Sequence, residues 1–178
     1  MEENLELRMY FFTNYQLIGI QKGIQCGHAI LEYIRMYGLT DEFKNFVENW
    51  KTWIILDGGT TNESRNFDGK VQGSLNQIAD DLLANDIKFG YFQEPDLNDA
   101  LTALCFICDE RVFNKKDYPD FIDYVVAEYS LPPKESIRLR MTPQEELEKS
   151  KQYKEWVRFV GGVKNVFLRD LIKNKKLA

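Results

Sequence analysis

The chain lacks the features that mark membrane, secreted and metal-dependent proteins. None of its apolar runs approaches the roughly 20 residues that a membrane-spanning helix needs. The acidic start, residues 1–6, has no apolar signal-peptide core. No cluster with metal-ligand spacing, no phosphate-binding glycine loop and no Ser-His-Asp arrangement is visible, so we expect no cofactor and no metal. With only three cysteines, the chain is predicted to be a cytoplasmic protein without membrane contact.

Two of the cysteines form a Cys-x-x-Cys pair inside an almost wholly apolar segment. A separation of three residues on a strand points Cys105 and Cys108 to opposite faces. A metal or redox pair is therefore a poor interpretation, and buried packing is the better one. The same interpretation is preferred for Cys26, which lies on a predicted helix.

Charge is distributed unevenly along the chain. The net charge is −5, which is not typical of a nucleic-acid-binding protein. In residues 151–178, however, eight lysines and arginines stand against two acidic residues, a balance of +6, so residues 1–150 carry the remaining −11. A basic segment on an acidic body is able to bind phosphate. The alternative interpretation is a solvated helix face with a frayed tail.

The most informative segment is residues 21–31, which contain the only histidine and follow a first apolar run. At about 100° per residue, the predicted helix has one apolar stripe that we expect to pack on a sheet. That apolar stripe consists of Ile20, Ile24, Gly27, Leu31 and Ile34. A polar stripe beside it, Gln21, Gln25, His28 and Glu32, is expected at the rim of the sheet. Because glycine costs a helix about 1 kcal/mol relative to alanine, Gly27 predicts a close approach to the sheet.

Strands and helices alternate along the first part of the chain. Apolar runs predict strands at residues 7–13, 52–56, 88–92 and 101–108, the last of them central. The third and fourth strands are joined by a short loop, so they should be antiparallel neighbours. The pattern predicts an α/β fold, a three-layer α/β/α arrangement with a four-stranded mixed sheet. We expect this domain to span residues 1–112 and a helical C-terminal extension, residues 113–178, to pack on it.

The motif Gln25-Cys26-Gly27-His28-Ala29 resembles that of the type 2 peptidyl-tRNA hydrolase family, in which the first helix carries Gln-Cys-Ser-His-Ala. The order of elements is also similar, with Glu94 after the third strand and Thr102 at the start of the fourth. The resemblance covers roughly residues 7–110. It implies a mixed sheet between helical layers and hydrolysis of the ester that joins a peptide or amino acid to tRNA.

The sequence departs from the family pattern at three places. The family has a lysine at the position of Gln21, whereas here the nearest lysine is Lys22. The acidic residue of the loop is Glu94, one methylene longer than the family's aspartate. The family's Gly-Arg-Thr is replaced by residues 96–98, which end in Asn98. Residues 57–73 and the chain after about residue 113 look like additions.

The candidate catalytic residues are Lys22, Gln25, His28, Glu94, Asn98 and Thr102. Glu94 is the candidate base for water, and Lys22 is expected to lower its pKa or hold a phosphate. Gln25 and Asn98 are candidates to orient the carbonyl, and Thr102 to orient the water. His28 would donate a hydrogen bond or act as base. Each residue also has a structural interpretation, as a satisfied polar group at the rim of the sheet or as a turn former.

Two functions follow from this set. The first is an active esterase on peptidyl- or aminoacyl-tRNA, and the second is a catalytically drifted binding protein on the same fold that holds a nucleotide, an RNA or a protein. The resemblance implies tRNA or a nucleotide as the partner, held by the cleft and by the basic residues 151–178. Family members are often dimers, so the resemblance also allows a homodimer. A short chain with altered catalytic positions and a charged tail is typical of a bacteriophage protein.

Overall fold

A computed structural model describes residues 5–61, 64–66, 69–71, 73–129 and 143–178. Its strands are β1 (Leu7–Asn14), β2 (Thr52–Gly59), β3 (Ser64–Asn66), β4 (Gly69–Val71), β5 (Phe89–Glu94) and β6 (Ala100–Asp109). Its α-helices are α1 (Gly19–Tyr37), α2 (Asp41–Asn45), α3 (Ser74–Ala84), α4 (Glu110–Phe113), α5 (Phe121–Tyr129), α6 (Pro143–Phe159) and α7 (Val163–Ile172). No helix within the described residues has both the length and the apolar character to cross a bilayer.

The main sheet has four strands in the order β2-β1-β6-β5. Strands β1 and β2 are parallel, whereas β6 is antiparallel to both of its neighbours. The predicted four-stranded mixed sheet is confirmed, as is the antiparallel pair formed by the third and fourth predicted strands. Strand β6 lies between β1 and β5, and nearly every one of its side chains is buried. This is the central position that its almost continuous apolar run predicts.

Helix α1 covers one face of the sheet and α3 the other. Cys26, Ala29 and Tyr33 of α1 join a buried cluster with Met9 and Phe11 of β1. On the opposite face lies α3, for which the apolar spacing of the sequence predicts four inward residues, Leu75, Ile78, Leu82 and Leu83. The first three are buried, whereas Leu83 is 71% exposed. The three-layer α/β/α arrangement is therefore present, with extra helices after it.

The orientation predicted for α1 is wrong. Four residues of the apolar stripe, Ile20, Ile24, Leu31 and Ile34, are exposed, and the side that faces the sheet carries small and mixed side chains instead. The reason lies in Gly90 of β5, where an added Cβ would lie 2.5 Å from the carbonyl oxygen of Ala29 and 2.6 Å from the amide nitrogen of Tyr33. At so short a separation the backbones of helix and strand meet directly, and Cys26, Ala29 and Tyr33 are the apolar side chains that α1 buries on this side.

The glycine at which α1 and the sheet approach each other closely is thus Gly90 and not Gly27. A Cβ added at Gly27 would meet nothing within 4 Å, because this residue lies on the outward face of α1. The prediction that Gly27 allows helix and sheet to approach each other is wrong. The absence of a side chain at Gly27 leaves open space on an exposed apolar surface.

Two further segments differ from expectation. Thr40 and Asp41 predict the start of a helix that runs to Trp50, but the α-helix covers only Asp41–Asn45 and continues as a π-helical turn, Phe46–Trp50. The composition of residues 57–73, rich in Gly, Asn, Thr and Asp, predicts an irregular loop, but they contain the end of β2 and the short antiparallel pair of β3 and β4. Thr142, which the sequence predicts to cap α6, lies outside the described residues.

The chain divides into two compact units, Met1–Asp109 with Leu171–Ala178, and Glu110–Asp170. The first boundary lies near the predicted one, but the last eight residues return to the first unit. There the amide of Asp57 donates to the carbonyl of Lys176 at 2.9 Å, and the amide of Ala178 donates to the carbonyl of Ile55 at 3.0 Å. The C-terminal residues therefore extend the β2 edge of the sheet and are not the predicted frayed tail.

The Glu110–Asp170 unit is organised around Arg169, which is 2% exposed. Its guanidinium donates to the Asp120 carboxylate at 2.7 Å and to the carbonyl of Tyr118 at 2.9 Å, and also to the carbonyl of Arg111. Burial by itself would raise the pKa of Asp120, but hydrogen bonds from Lys115 and Arg169 outweigh it and hold that pKa below its ordinary value. One cation of the basic segment is therefore neutralised inside the fold.

Candidate functional site

Three of the predicted site residues form one continuous polar chain. The hydroxyl of Thr102 donates to Oε1 of Gln25 at 2.6 Å, and Nε2 of Gln25 donates to Oε2 of Glu94 at 2.7 Å. Thr102 is 1% exposed and Gln25 8% exposed, while Glu94 is half-buried. The polar chain Thr102–Gln25–Glu94 thus runs from the core to the surface and ends in a carboxylate.

A β-bulge brings Thr102 into this chain. Phe92 pairs with Ala103 and Gln93 pairs with Leu101, so Thr102 is an extra residue without a partner on β5. In a regular strand, Thr102 and Ala103 would point to opposite faces. Here Ala103 packs in the α1-facing cluster and Thr102 also reaches α1, because a bulge re-aims the side chain of the inserted residue.

The direction of each hydrogen bond follows from the chemistry of the end group. An ionised Glu94 only accepts, so Gln25 must present its amide nitrogen to it. The amide oxygen of Gln25 then faces Thr102, whose single proton must be donated to that oxygen. A second acceptor for Thr102, the carbonyl of Phe92, is more distant at 3.2 Å. Thr102 therefore fixes the amide orientation of Gln25, and Gln25 fixes the position of the carboxylate.

His28 lies beside the polar chain, one helical turn after Gln25. Its ring stacks on Phe92 with the centroids 4.4 Å apart and the planes 21° apart. The imidazole is half-buried, and the stack on Phe92 orients its ring. The predicted position at the rim of the sheet agrees with this arrangement.

Lys22 and Asn98 are not joined to the polar chain by any hydrogen bond or ion pair among the described residues. Lys22 is half-buried and lies one turn before Gln25 on the same helix. Asn98 is exposed and has a φ of 55°, followed by Asp99 at 56°. Asparagine and aspartate tolerate this left-handed backbone better than most residues, so Asn98 shapes the loop between β5 and β6.

Two residues of the site were not predicted from the sequence. Phe92 supplies the ring under His28 and an acceptor for Thr102. Thr13 lies on β1 two residues after Phe11, so its side chain is on the face of the sheet that α1 covers, together with Met9 and Phe11. It pairs with Ala103 of β6. Its hydroxyl is buried and has no hydrogen-bond partner within the part of the chain that the structure describes. The strand alternation alone would place Thr13 on this face, but only the structure shows that its hydroxyl is unpaired.

The cysteines contribute packing. Burial raises the pKa of Cys26 to about 12, so its thiol is protonated at neutral pH and is a poor nucleophile. Burial also raises the pKa of Cys105 and that of Cys108 above the ordinary value. Within the described ranges, no group of three or more His, Cys, Asp or Glu side chains is placed to hold a metal ion.

A cleft lies on the α3 side of the sheet. This cleft has a volume of about 360 Å³. It is lined by Asp57, Gly58, Gly59, Ser74, Asn174, Lys175 and Lys176. The hydroxyl of Ser74 already donates to the carbonyl of Gly58 and accepts from the amide of Thr60, both at 3.0 Å. Because α3 covers the face opposite α1, the cleft is separate from the polar chain.

No protein-family model matches the sequence, and no curated protein sequence matches it significantly.

Proposed function

We propose that the chain is an esterase that hydrolyses the bond between a peptide or amino acid and tRNA, with Glu94 as general base. The observation that carries this proposal is the polar chain, in which buried Thr102 and Gln25 hold a half-buried carboxylate in one orientation. A positioned carboxylate at a surface is able to act as a general base on a bound water, and His28 supplies an oriented imidazole beside it. The tRNA substrate rests on the resemblance of the Gln25–Ala29 motif.

In this mechanism, Glu94 takes a proton from a water that attacks the ester carbonyl. Oε2 of Glu94 is occupied by Gln25, and Oε1 has no partner among the described residues, so Oε1 is the atom that accepts the proton. Gln25 and Thr102 are positioning residues, because their hydrogen bonds act on Glu94 and not on the substrate. His28 is a donor for the developing oxyanion.

Lys22 supplies positive charge near the site. It lies one turn before Gln25, within the first turns of α1, where a side chain pointing past the helix start can meet a phosphate of the acceptor end. A phosphate contact of this kind would hold the substrate without taking part in the proton transfer. Lys22 is therefore expected to affect substrate affinity more than the rate of the bound complex.

The test is release of the amino acid or peptide from charged tRNA. We expect Glu94→Gln, which preserves shape and removes the base, to lower kcat about 10²- to 10⁴-fold. Lys22→Ala should raise KM with a smaller effect on kcat. Glu48→Gln is the matched control, because Glu48 is an exposed glutamate outside the site. Turnover that survives in Glu94→Gln excludes this carboxylate as the base, and a wild-type chain without turnover excludes the esterase.

The alternative is a binding protein on the same fold, including an accessory protein of a bacteriophage. Two observations favour it: residues 1–150 carry a net charge of −11, and no described lysine or arginine pairs with Glu94. Turnover separates the esterase from this alternative, and salt dependence identifies the kind of binding surface. A steep loss of tRNA affinity with salt indicates a surface that contacts phosphates, whereas a chain on which salt has no such effect has a surface for a small ligand or a protein partner.

A further inference from the structure

The main sheet has two edges, and they differ in what lies beside them. Part of the β2 edge is covered by the C-terminal residues, where the amide of Asp57 donates to the carbonyl of Lys176 at 2.9 Å. At the other end of the sheet, β5 pairs with β6, and no other described strand lies beside it. The outer side of β5 is therefore an open edge of the sheet within the residues that the structure describes.

The backbone groups of β5 that face this open edge follow from one hydrogen bond. The carbonyl of Phe92 accepts from Thr102 of β6 at 3.2 Å, so it points toward β6. Because backbone groups of successive strand residues point alternately to the two sides of a strand, those of Phe89, Tyr91 and Gln93 point away from β6. None of these three makes a backbone hydrogen bond to a described residue outside the sheet. The open edge thus carries a row of donors and acceptors two residues apart.

The open edge lacks the features that keep sheet edges from pairing. Such features are lysine or proline on the edge strand, a bulge in it, or a segment that covers it. Residues 89–94 contain neither lysine nor proline, and the extra residue of the β5–β6 bulge lies on β6. Donors and acceptors repeated about every 7 Å match the backbone of another extended chain.

We propose that β5 binds an extended segment of a partner protein, which joins the sheet as a fifth strand. The backbone of the segment would pair with the outward amides and carbonyls of β5. This interaction goes beyond the esterase and does not depend on Glu94 acting as a base.

The exposed side chains of β5 indicate which residues the segment carries. Phe92 faces α1, where it stacks on His28, so Phe89 and Tyr91 lie on the opposite face of the sheet. Their ring centroids are 5.9 Å apart, and Tyr91 is 44% exposed. Every second side chain of an added strand would lie beside these two rings. Aromatic rings pair well with β-branched side chains across neighbouring strands, so valine, isoleucine or threonine is expected there.

The charge at one end of the edge adds a further property of the partner. Residues 94–99 include Glu94, Asp96 and Asp99 and no lysine or arginine. A segment that continues past the end of β5 meets these carboxylates, so lysine or arginine at that end is complementary. The same carboxylates would repel the phosphates of a nucleic acid. In the antiparallel arrangement, which is slightly more stable than the parallel one, the basic end of the segment is its amino end.

Binding of N-methylated peptides tests whether the backbone of the segment pairs with β5. The probe is a short fluorescein-labelled peptide of alternating valine and threonine with lysines at its amino end, and fluorescence anisotropy measures its binding to the full chain. Two further forms carry N-methyl groups on alternate residues, one on the odd and one on the even positions. Only one of these two sets of amides faces β5. We expect one form to bind like the parent peptide and the other at least about tenfold more weakly, since it loses hydrogen bonds.

Variants of Tyr91 test the same edge from the side of the protein. Proline is tolerated on an edge strand where its N–H would face solvent, so Tyr91→Pro should stay folded in urea unfolding. It should bind the probe at least about tenfold more weakly, because it lacks an outward donor. Tyr91→Ala keeps the N–H, removes the ring and should lose less affinity. Leu83→Ala, which removes an exposed side chain of α3, is the matched control and should bind the probe unchanged.

Asp96→Lys tests the charge at the end of the edge. It should weaken binding of the lysine probe and strengthen binding of a probe that carries glutamates in place of the lysines. Equal binding of the two methylated forms, a folded Tyr91→Pro that binds like the wild type, or a wild-type chain that binds none of the peptides would each overturn the proposal. If Tyr91→Pro unfolds, the two methylated forms with the wild-type chain still decide the question.

Discussion

Replacing Thr102 with valine tests whether the polar chain is held from its buried end. Valine has nearly the shape of threonine, so Thr102→Val removes the hydrogen bond to Gln25 without leaving a cavity. Oε1 of Gln25 then has no donor in a position where the side chain is 8% exposed. A buried acceptor left without a partner costs about 1–3 kcal/mol. The free energy of unfolding of the Met1–Asp109 unit should fall by about this amount.

The double variant distinguishes a hydrogen bond from general packing. The double variant Thr102→Val with Gln25→Met removes both partners of the hydrogen bond. Replacing both partners by apolar groups of similar shape changes stability little, whereas leaving one buried polar group unpaired is costly. The loss in free energy of unfolding in the double variant should therefore be smaller than the sum of the losses in the two single variants. These free energies are measured by urea unfolding followed by tryptophan fluorescence. All variants carry Trp156→Phe, so that the signal comes only from Trp50 and Trp53, which belong to the same unit as Thr102.

Thr102→Ser is the matched control. It keeps the hydroxyl and loses one buried methyl, at a cost of about 0.8 kcal/mol, so stability falls slightly while the orientation of Gln25 is kept. If the chain hydrolyses charged tRNA, the serine variant should retain that activity and the valine variant should lose it. Additive costs in the double variant, or equal behaviour of valine and serine, would refute the argument that Thr102 positions Glu94 through Gln25.

Three further predictions follow from single contacts. Gly90→Ala should destabilise the fold by about 1–3 kcal/mol in urea unfolding, because the new methyl would meet the backbone of α1 near Tyr33. Thr13→Val should keep or raise stability, since it removes a buried hydroxyl that has no described partner, and lower activity after that change would show that a water or substrate uses Thr13. The pKa of Asp120 in the folded state lies below its ordinary value of 3.8, so its ionised carboxylate stabilises the Glu110–Asp170 unit at pH values above 3.8. This stabilisation is lost as the pH falls through the lowered pKa. In Asp120→Asn, the free energy of unfolding, followed by Trp156 fluorescence, should therefore change less with pH in the acid range.

The sheet could be predicted from the sequence because burial on both faces leaves a continuous apolar run. Residues 101–108 identified the central strand β6 in this way, and the short loop after Glu94 identified its antiparallel neighbour. The orientation of α1 could not be predicted, because periodicity detects an apolar stripe without specifying what the stripe faces. The deciding residue, Gly90, lies on another element and acts by letting the backbone of α1 approach the strand closely.

Three of the six candidate residues lie together in the structure, but the sequence does not predict the hydrogen bonds that join them. Gln25, Glu94 and Thr102 were selected by the motif and by their positions at the ends of strands. Their connection depends on the β-bulge at Thr102, and no feature of the sequence predicts a bulge in an apolar strand. The role of Phe92, whose ring orients His28, could not be predicted either, because a phenylalanine is ordinary in a strand.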